Sequence, residues 1–177
     1  MAEETLSSEV VFDGRAIKVR VDTVRKPGGR QTTREIVEHS PVIAVIAVDA
    51  GDNILLVKQY RRAIDKELLE IPAGGIDEGE DPEAAVVREM QEETGFRPRK
   101  LVRLGGFYAA PGYATEYLHV YLATDLVPGH LHAEDTDEIE LLRVPVKDIP
   151  GLIASGKFED AKTIAGLLFY LEYRKNR

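Results

Sequence analysis

Between Gly74 and Phe96 the chain reads GGIDEGEDPEAAVVREMQEETGF, and this stretch restricts the fold more than any other. It specifies one short helix behind a glycine-rich turn. Asp81 has the side chain of an N-cap, Pro82 suits the first helical position, and Glu83 sets a negative charge in the first turn. Gly95 supplies the stop, because a residue without a Cβ readily takes the left-handed conformation that ends a helix. Val86, Val87 and Met90 lie at three- and four-residue intervals, which gives the core an apolar stripe and turns the glutamates outward.

Glu89 lies three residues from Glu92 and four from Glu93, so the three share a helix face. Each like-charged pair should destabilise the helix by about 0.2–0.5 kcal/mol. A positive partner is therefore required. Hard divalent cations such as magnesium take carboxylate oxygens and leave coordination places for substrate phosphates, so the pattern points to a metal-dependent phosphate site. Standing alone, the same cluster also fits the solvated acidic face of an amphipathic surface helix.

Elsewhere the pattern is mostly that of strands. Ile17, Val19, Val21 and Thr23 alternate with Lys18, Arg20, Asp22 and Val24, a two-residue period that reads as a strand with one buried face. KPGGR reads as a turn and QTTREIVEH as the returning strand of an N-terminal hairpin. PVIAVIAVD, the turn AGDN and ILLVKQY form a more apolar strand pair for the core. KLVRLGGFYA and YLHVYLATDL, separated by APGYAT, are two further strands, and IELLRVPV is another. VKDIPGLIASG and EDAKTIAGLLFYLEYRKN close the chain as helices, with Ile164, Leu167, Leu168 and Leu171 spaced for core or dimer packing. This irregular alternation fits a mixed sheet with helices on its faces, an α/β class, better than a regular doubly wound fold.

At 177 residues, 44% hydrophobic and 31% charged, the chain suits one folding unit with a sizeable core. The net charge of −8, concentrated in the helix above and again from Glu134 to Glu140, disfavours a nucleic-acid surface. Without cysteine there are neither disulfides nor thiolate ligands. The opening MAEETLSSEV has no basic segment followed by an apolar run, and no later apolar stretch spans a bilayer, so a soluble cytoplasmic protein is expected. His39, His119, His130 and His132 form no familiar ligand pattern, although the last two are close enough in sequence to act together.

Gly74, five residues, Glu80, seven residues, then Arg88-Glu89-Met90-Gln91-Glu92-Glu93-Thr94-Gly95-Phe96 resembles the complete signature of the Nudix hydrolase family. QYRRAIDKELLEIPAGG from Gln59, and Pro111 fifteen residues beyond Phe96, resemble its ADP-ribose pyrophosphatase branch, as do REIVEH near Arg34 and DAKTIAGLLFYL near the end. The resemblance implies an α/β/α sandwich whose signature forms a loop-helix-loop. It divides the chain into a strand or hairpin region over residues 1–40, which forms a homodimer, and a hydrolase domain over residues 41–177. The implied reaction is magnesium-dependent hydrolysis of ADP-ribose to AMP and ribose 5-phosphate, with manganese as an alternative metal. Two rivals stand beside it: hydrolysis of another nucleoside diphosphate sugar such as GDP-mannose, and a non-catalytic domain that senses a nucleotide sugar or binds a protein partner.

Residue by residue, the resemblance makes Glu89 and Glu93 the main magnesium ligands and Glu92 a ligand or the residue that positions water. The Ala73 carbonyl completes the site. Arg88 supports the glutamates through charge-assisted hydrogen bonds, or binds phosphate. Glu80 and Glu70 lie further out, Glu70 as an outer ligand or a strand-end charge. Arg61 is the candidate for gripping substrate phosphate, and Pro111 marks the substrate. Arg34 is expected to enter the neighbouring protomer's pocket. The general base falls at Asp137, where the branch has a glutamate, with Glu138 or Glu134 as alternatives. Phe12, Tyr108 and Tyr113 are either base-stacking residues or core aromatics.

Overall fold

The computed structural model describes residues 2–133 and 139–177. Two compact units emerge from the backbone, one made of Met1–Pro41 with Tyr108–Tyr117, the other of Val42–Phe107 with Leu118–Arg177.

The larger unit is built on β4 (Val42–Val48), whose seven residues are all buried. Strand alternation sends them to opposite sides. Ile43, Val45 and Ala47 join a cluster with Ala85, Val86 and Met90 of helix α1 (Pro82–Thr94). Val42, Ala44, Ile46 and Val48 join a second cluster with Ile149, Leu167 and Tyr170. Those residues come from α2 (Ile149–Ala154), which follows a 3₁₀ turn at Val146–Asp148, and α3 (Ala161–Lys175). A sheet covered on both faces needs continuous apolar strands, and that is why VIAVIAV carries no polar residue.

The sheet runs β10-β5-β4-β9-β8, with β6 beside β5 and β7 beside β4. Its members are β5 (Asn53–Arg61), β6 (Lys66–Glu70), β7 (Ala73–Gly75), β8 (Phe96–Tyr108), β9 (Tyr117–Pro128) and β10 (Glu140–Pro145). β4 pairs parallel with β9 and antiparallel with β5 and β7, so the sheet is mixed and the unit is an α/β/α sandwich. The Asp49–Asn53 turn closes on itself: Asp49 accepts from the backbone N–H groups of Gly51 and Asn53, and Asp52 sits at φ 59°.

The smaller unit holds a three-stranded antiparallel sheet, ordered β1 (Glu4–Asp13), β2 (Lys18–Arg25), β3 (Gln31–Glu38). The hairpin of β2 and β3 is as the sequence indicates, but β1 is an added strand that shows no apolar alternation. The buried face of β2 is also the opposite one. Asp22 and Val24 are buried, whereas Val19 and Val21 are only half-buried; Arg20, on the same face as Asp22, pairs with both Asp22 and Glu38. On α3 the core face is Thr163, Gly166, Leu167 and Tyr170, and Leu168 points outward with 51% of its surface exposed. A Cβ on Gly166 would sit 2.8 Å from Ile71 Cδ1, so glycine there lets the helix approach the sheet more closely than a leucine stripe allows.

Candidate active site

Helix α1 begins and ends as its sequence specifies. Asp81 accepts hydrogen bonds from the N–H groups of Glu83 and Ala84, and Gly95 closes the helix at φ 73°. Ala85, Val86 and Met90 fill the core, while Val87 is half-buried.

The glutamates do not face open water. Glu89 is 12% exposed and its carboxylate lies against β7, where a Cβ on Gly74 would stand 2.0 Å from it. Gly74 is thus needed for close approach, within a strand rather than a turn; β7 pairs through Ala73, Gly74 and Gly75 with Ala44, Ile43 and Val42. The turn itself comes later, at Gly79 with φ 79°. One helical turn beyond Glu89, the Glu93 carboxylate accepts the Ala73 N–H at 3.0 Å. Burial, and then the Glu89 charge beside it, push the Glu93 carboxyl up to about 8. Glu89 is raised as well, by burial first, with Glu92 and Glu80 adding repulsion against the opposing pull of Arg88.

Arg88 spreads its guanidinium over four acceptors. Nε and Nη2 donate to Glu80 at 3.0 and 2.9 Å, Nη2 also to the Gly75 carbonyl at 2.9 Å, and Nη1 to Glu89 at 2.5 Å and Glu92 at 3.4 Å. Such a planar fork holds several oxygens at fixed angles. The bond from Arg88, aided by the Asp77 N–H, keeps the Glu80 carboxyl below the usual range.

On the other side of Glu93, Glu70 is 1% exposed and accepts two bonds from Arg61, 2.7 Å from Nε and 2.6 Å from Nη2, and a third from Lys162. Burial alone would raise this carboxyl, but the two cations hold it low. Glu70 is therefore the counter-ion of Arg61 and Lys162. Asp160, the N-cap of α3, accepts from Lys162 at 2.9 Å and from the Thr163 hydroxyl at 2.6 Å, and that hydroxyl in turn accepts the Ile71 N–H at 3.0 Å. Asp160, Lys162 and Thr163 carry no site signature in the sequence. In DAKT only the capping aspartate has a local signature, and Lys162 meets Glu70 across 92 residues.

Beyond the C-terminal end of α1 a cavity of about 330 Å³ is walled by Glu92 and Glu93 on one side and by His130, His132, Ile139 and Leu141 on others. The histidine segment is fastened to the helix end: Gly129 N–H donates to Gly95 O at 2.9 Å and Leu131 N–H to Gln91 O at 3.2 Å. Asp137 and Glu138, expected as the general base, lie outside the described residues, as does Glu134.

In the smaller unit, Arg34 is held by Glu3, with Nε 3.1 Å and Nη2 2.6 Å from its carboxylate. Pro111 lies in the connection whose Tyr113 and Thr115 pair with Val37 of β3. Phe12, Tyr108 and Tyr113 are 55%, 57% and 60% exposed, which removes the core-packing alternative for all three.

Chemically, the cluster around Glu93 offers oxygen donors to a hard cation. Among the described residues no three carboxylate or imidazole groups already converge as a cage, since Arg88 lies on Glu89 and Glu92 and the Ala73 N–H on Glu93. The donor set nonetheless fits such an ion, because burial has crowded Glu89 and Glu93 together and raised both carboxyls, a cost that a cation would relieve.

A model of the NUDIX domain matches residues 38–167, and one of the nucleoside diphosphate sugar hydrolase N-terminal domain matches residues 3–37. Over 177 residues the chain is 38% identical to an ADP-ribose pyrophosphatase of Bacillus subtilis (strain 168), covering 99% of this chain and 95% of that protein. Over 169 residues it is 36% identical to a methanol dehydrogenase activator of Bacillus methanolicus, covering 94% and 91%. A crystal structure of an ADP compounds hydrolase superposes with a TM-score of 0.91 over 99% of this chain and 96% of that one, a likeness of fold at 23% identity.

Proposed function

This chain belongs to the Nudix hydrolase family and hydrolyses the pyrophosphate linkage of nucleotide sugars, and we propose that its substrate is ADP-ribose, cleaved to AMP and ribose 5-phosphate with magnesium or manganese. The observation that carries the reading is the alignment of the whole chain, carboxylate helix included, with an ADP-ribose pyrophosphatase. Glu89, Glu93 and the Ala73 carbonyl would hold the cation, with Glu92 as a further ligand or as the residue that positions water. When bound, the ion offsets the negative oxygens of the pyrophosphate and orients water.

The chain's own residues do the rest. Arg88 keeps Glu80, Glu89 and Glu92 at fixed separation. Arg61 has two donors committed to Glu70, which leaves its third nitrogen, Nη1, to take a phosphate oxygen. The water oxygen attacks one phosphorus, the bridging P–O bond breaks, and the water proton passes to a carboxylate, with Asp137 proposed for that role and Glu138 as the alternative. Pro111 and Arg34 belong to substrate recognition, Arg34 across a homodimer formed through residues 15 to 39. A cytoplasmic location is part of the proposal; no helix among the described residues is long and apolar enough to cross a membrane.

A panel of nucleoside diphosphate sugars incubated with magnesium or manganese, with chromatographic identification of products, tests the reading. AMP and ribose 5-phosphate from ADP-ribose are expected, with no more than trace turnover after chelation. Preferential cleavage of GDP-mannose transfers the proposal to that substrate, and turnover of none of them ends it.

A further inference from the structure

We propose that Lys162 is a positioning residue for pyrophosphate binding: with the buried Glu70 it forms a clamp that sets the Arg61 guanidinium beside Glu93 and leaves it free to meet phosphate. The inference rests on the Nudix reading of the site and names a residue outside the signature that the reaction depends on.

Three observations support it. Glu70 is 1% exposed, and a carboxylate so placed must be fully partnered. It has two cations on it. Arg61 approaches side-on through Nε and Nη2, a bidentate geometry that fixes the plane of the guanidinium and leaves Nη1 outside the pair. Lys162 approaches the Oε2 atom from the first turn of α3 and is 13% exposed, too covered to be an ordinary surface lysine.

The second observation is charge. Glu70 and Asp160 are both held anionic, and Arg61 and Lys162 balance them. Without Lys162 the group carries one surplus negative charge, and Arg61 becomes the only cation on Glu70. A guanidinium neutralised in that way is a poor receiver for a pyrophosphate. With Lys162 in place, the Glu70 charge is already met, and the field of Arg61 is left for the substrate.

The third is location. Glu93 accepts the N–H of Ala73, three residues beyond Glu70 on the same segment, so the clamp stands beside the metal-binding carboxylates rather than on a remote surface, and the charges of Arg61 and Lys162 reach Glu93. Its frame is rigid as well. The Asp160 carboxylate holds Lys162 and the Thr163 hydroxyl, and Thr163 accepts the Ile71 N–H next to Glu70, so the lysine and its acceptor are fixed to one another from both chain segments.

The test is Lys162→Gln, with Lys162→Met as a second variant and Lys162→Arg as the conservative one, assayed by steady-state kinetics and by calorimetry with magnesium pyrophosphate. Lys162→Gln should raise KM and the pyrophosphate Kd on the order of 10-fold, the scale typical of groups that orient a ligand's direct partners, with kcat within about threefold. Lys162→Arg should recover most of that loss. In an Arg61→Met background the Lys162→Gln substitution should add little, because its effect passes through Arg61. A lowered melting temperature with KM and Kd unchanged would mean a structural role only and overturns the proposal. So does a full, multiplicative effect in the Arg61→Met background, or a wild-type protein that does not bind magnesium pyrophosphate. Failure of the substrate panel alone, with pyrophosphate binding intact and sensitive to Lys162, would reject ADP-ribose as substrate and leave the clamp standing.

Discussion

At Glu93 a carboxyl is held where burial and a neighbouring anion both oppose its charge, so the metal-free protein carries a group that titrates near neutrality instead of near its ordinary 4.5. The sign of the consequence is fixed by linkage. A carboxyl whose folded pKa is raised adds stability that is complete below about 4.5 and is lost as pH rises towards about 8. Metal-free protein should therefore melt progressively lower from pH 5 to pH 9, and Glu93→Gln should flatten much of that decline. With magnesium the wild-type loss should shrink, since the cation stabilises the ionised form. Turnover of Glu93→Gln should fall on the order of 100-fold, because the amide keeps the shape and removes the charge of the proposed ligand. Differential scanning fluorimetry across pH, with and without EDTA, checks the first expectation, and an undiminished pH slope in the variant refutes it. A methyl group at Gly74 would stand 2.0 Å from the Glu89 carboxylate, so Gly74→Ala must displace that side chain. Because that carboxylate is the far end of a flexible side chain, the substitution moves Glu89 more than it destabilises the fold. Weaker manganese binding, read by electron paramagnetic resonance, should accompany it, and unchanged affinity would show that Glu89 is not a ligand. The glutamate cluster itself was legible in sequence because helical spacing is local. Its inward packing was not, since that depends on β7.

Among the elements, those with a strong internal pattern were read from sequence and those defined by their neighbours were not. VIAVIAV and ILLVKQY declare strands by composition, and Asp81, Pro82 and Gly95 mark the ends of α1. KELLE of β6 carries a composition suited to helix and becomes strand only because β5 offers it an edge. ETLSSEVVFD of β1 pairs with β2 while lying almost wholly exposed, so no alternation betrays it. Helix α3 shows the same limit. Its leucine spacing suggested a stripe that includes Leu168, but the sheet selects Gly166, where the backbone comes close, and Thr163, whose hydroxyl is needed by Ile71. Thr163 is fully buried, which gives a direct test. Thr163→Val keeps the shape and strands the Ile71 N–H without an acceptor, an omission worth about 1–3 kcal/mol. Urea denaturation should show that loss as a lower midpoint at unchanged slope, and a variant as stable as wild type would mean that Ile71 finds another acceptor.

For the whole molecule, the smaller unit's sheet is left with an edge that a lone chain does not explain. β1 stands at the end of the order β1-β2-β3, and Val10, Val11 and Phe12 on it are 53%, 54% and 55% exposed. An open edge carrying apolar side chains invites pairing, and closed two-fold association is the commonest way of covering one. Register shifts between Thr5 and Ser7 and, within this segment, between Val10 and Phe12 twist the strand locally, and such twisting discourages indefinite stacking more than it discourages one specific partner. The expected state is a homodimer, measured by light scattering at about twice the 19.7 kDa of the chain. Val11→Lys places a charge on the edge and should shift the protein towards the single-chain mass. If the interface runs through residues 15 to 39 without β1, the variant stays dimeric and the edge strand is excluded from it. If wild-type protein is monomeric at working concentration and fully active, the dimer proposal fails, and with it the assignment of Arg34 to a partner's pocket. Its bidentate hold on Glu3 would then be a contact that stabilises β3 within its own chain.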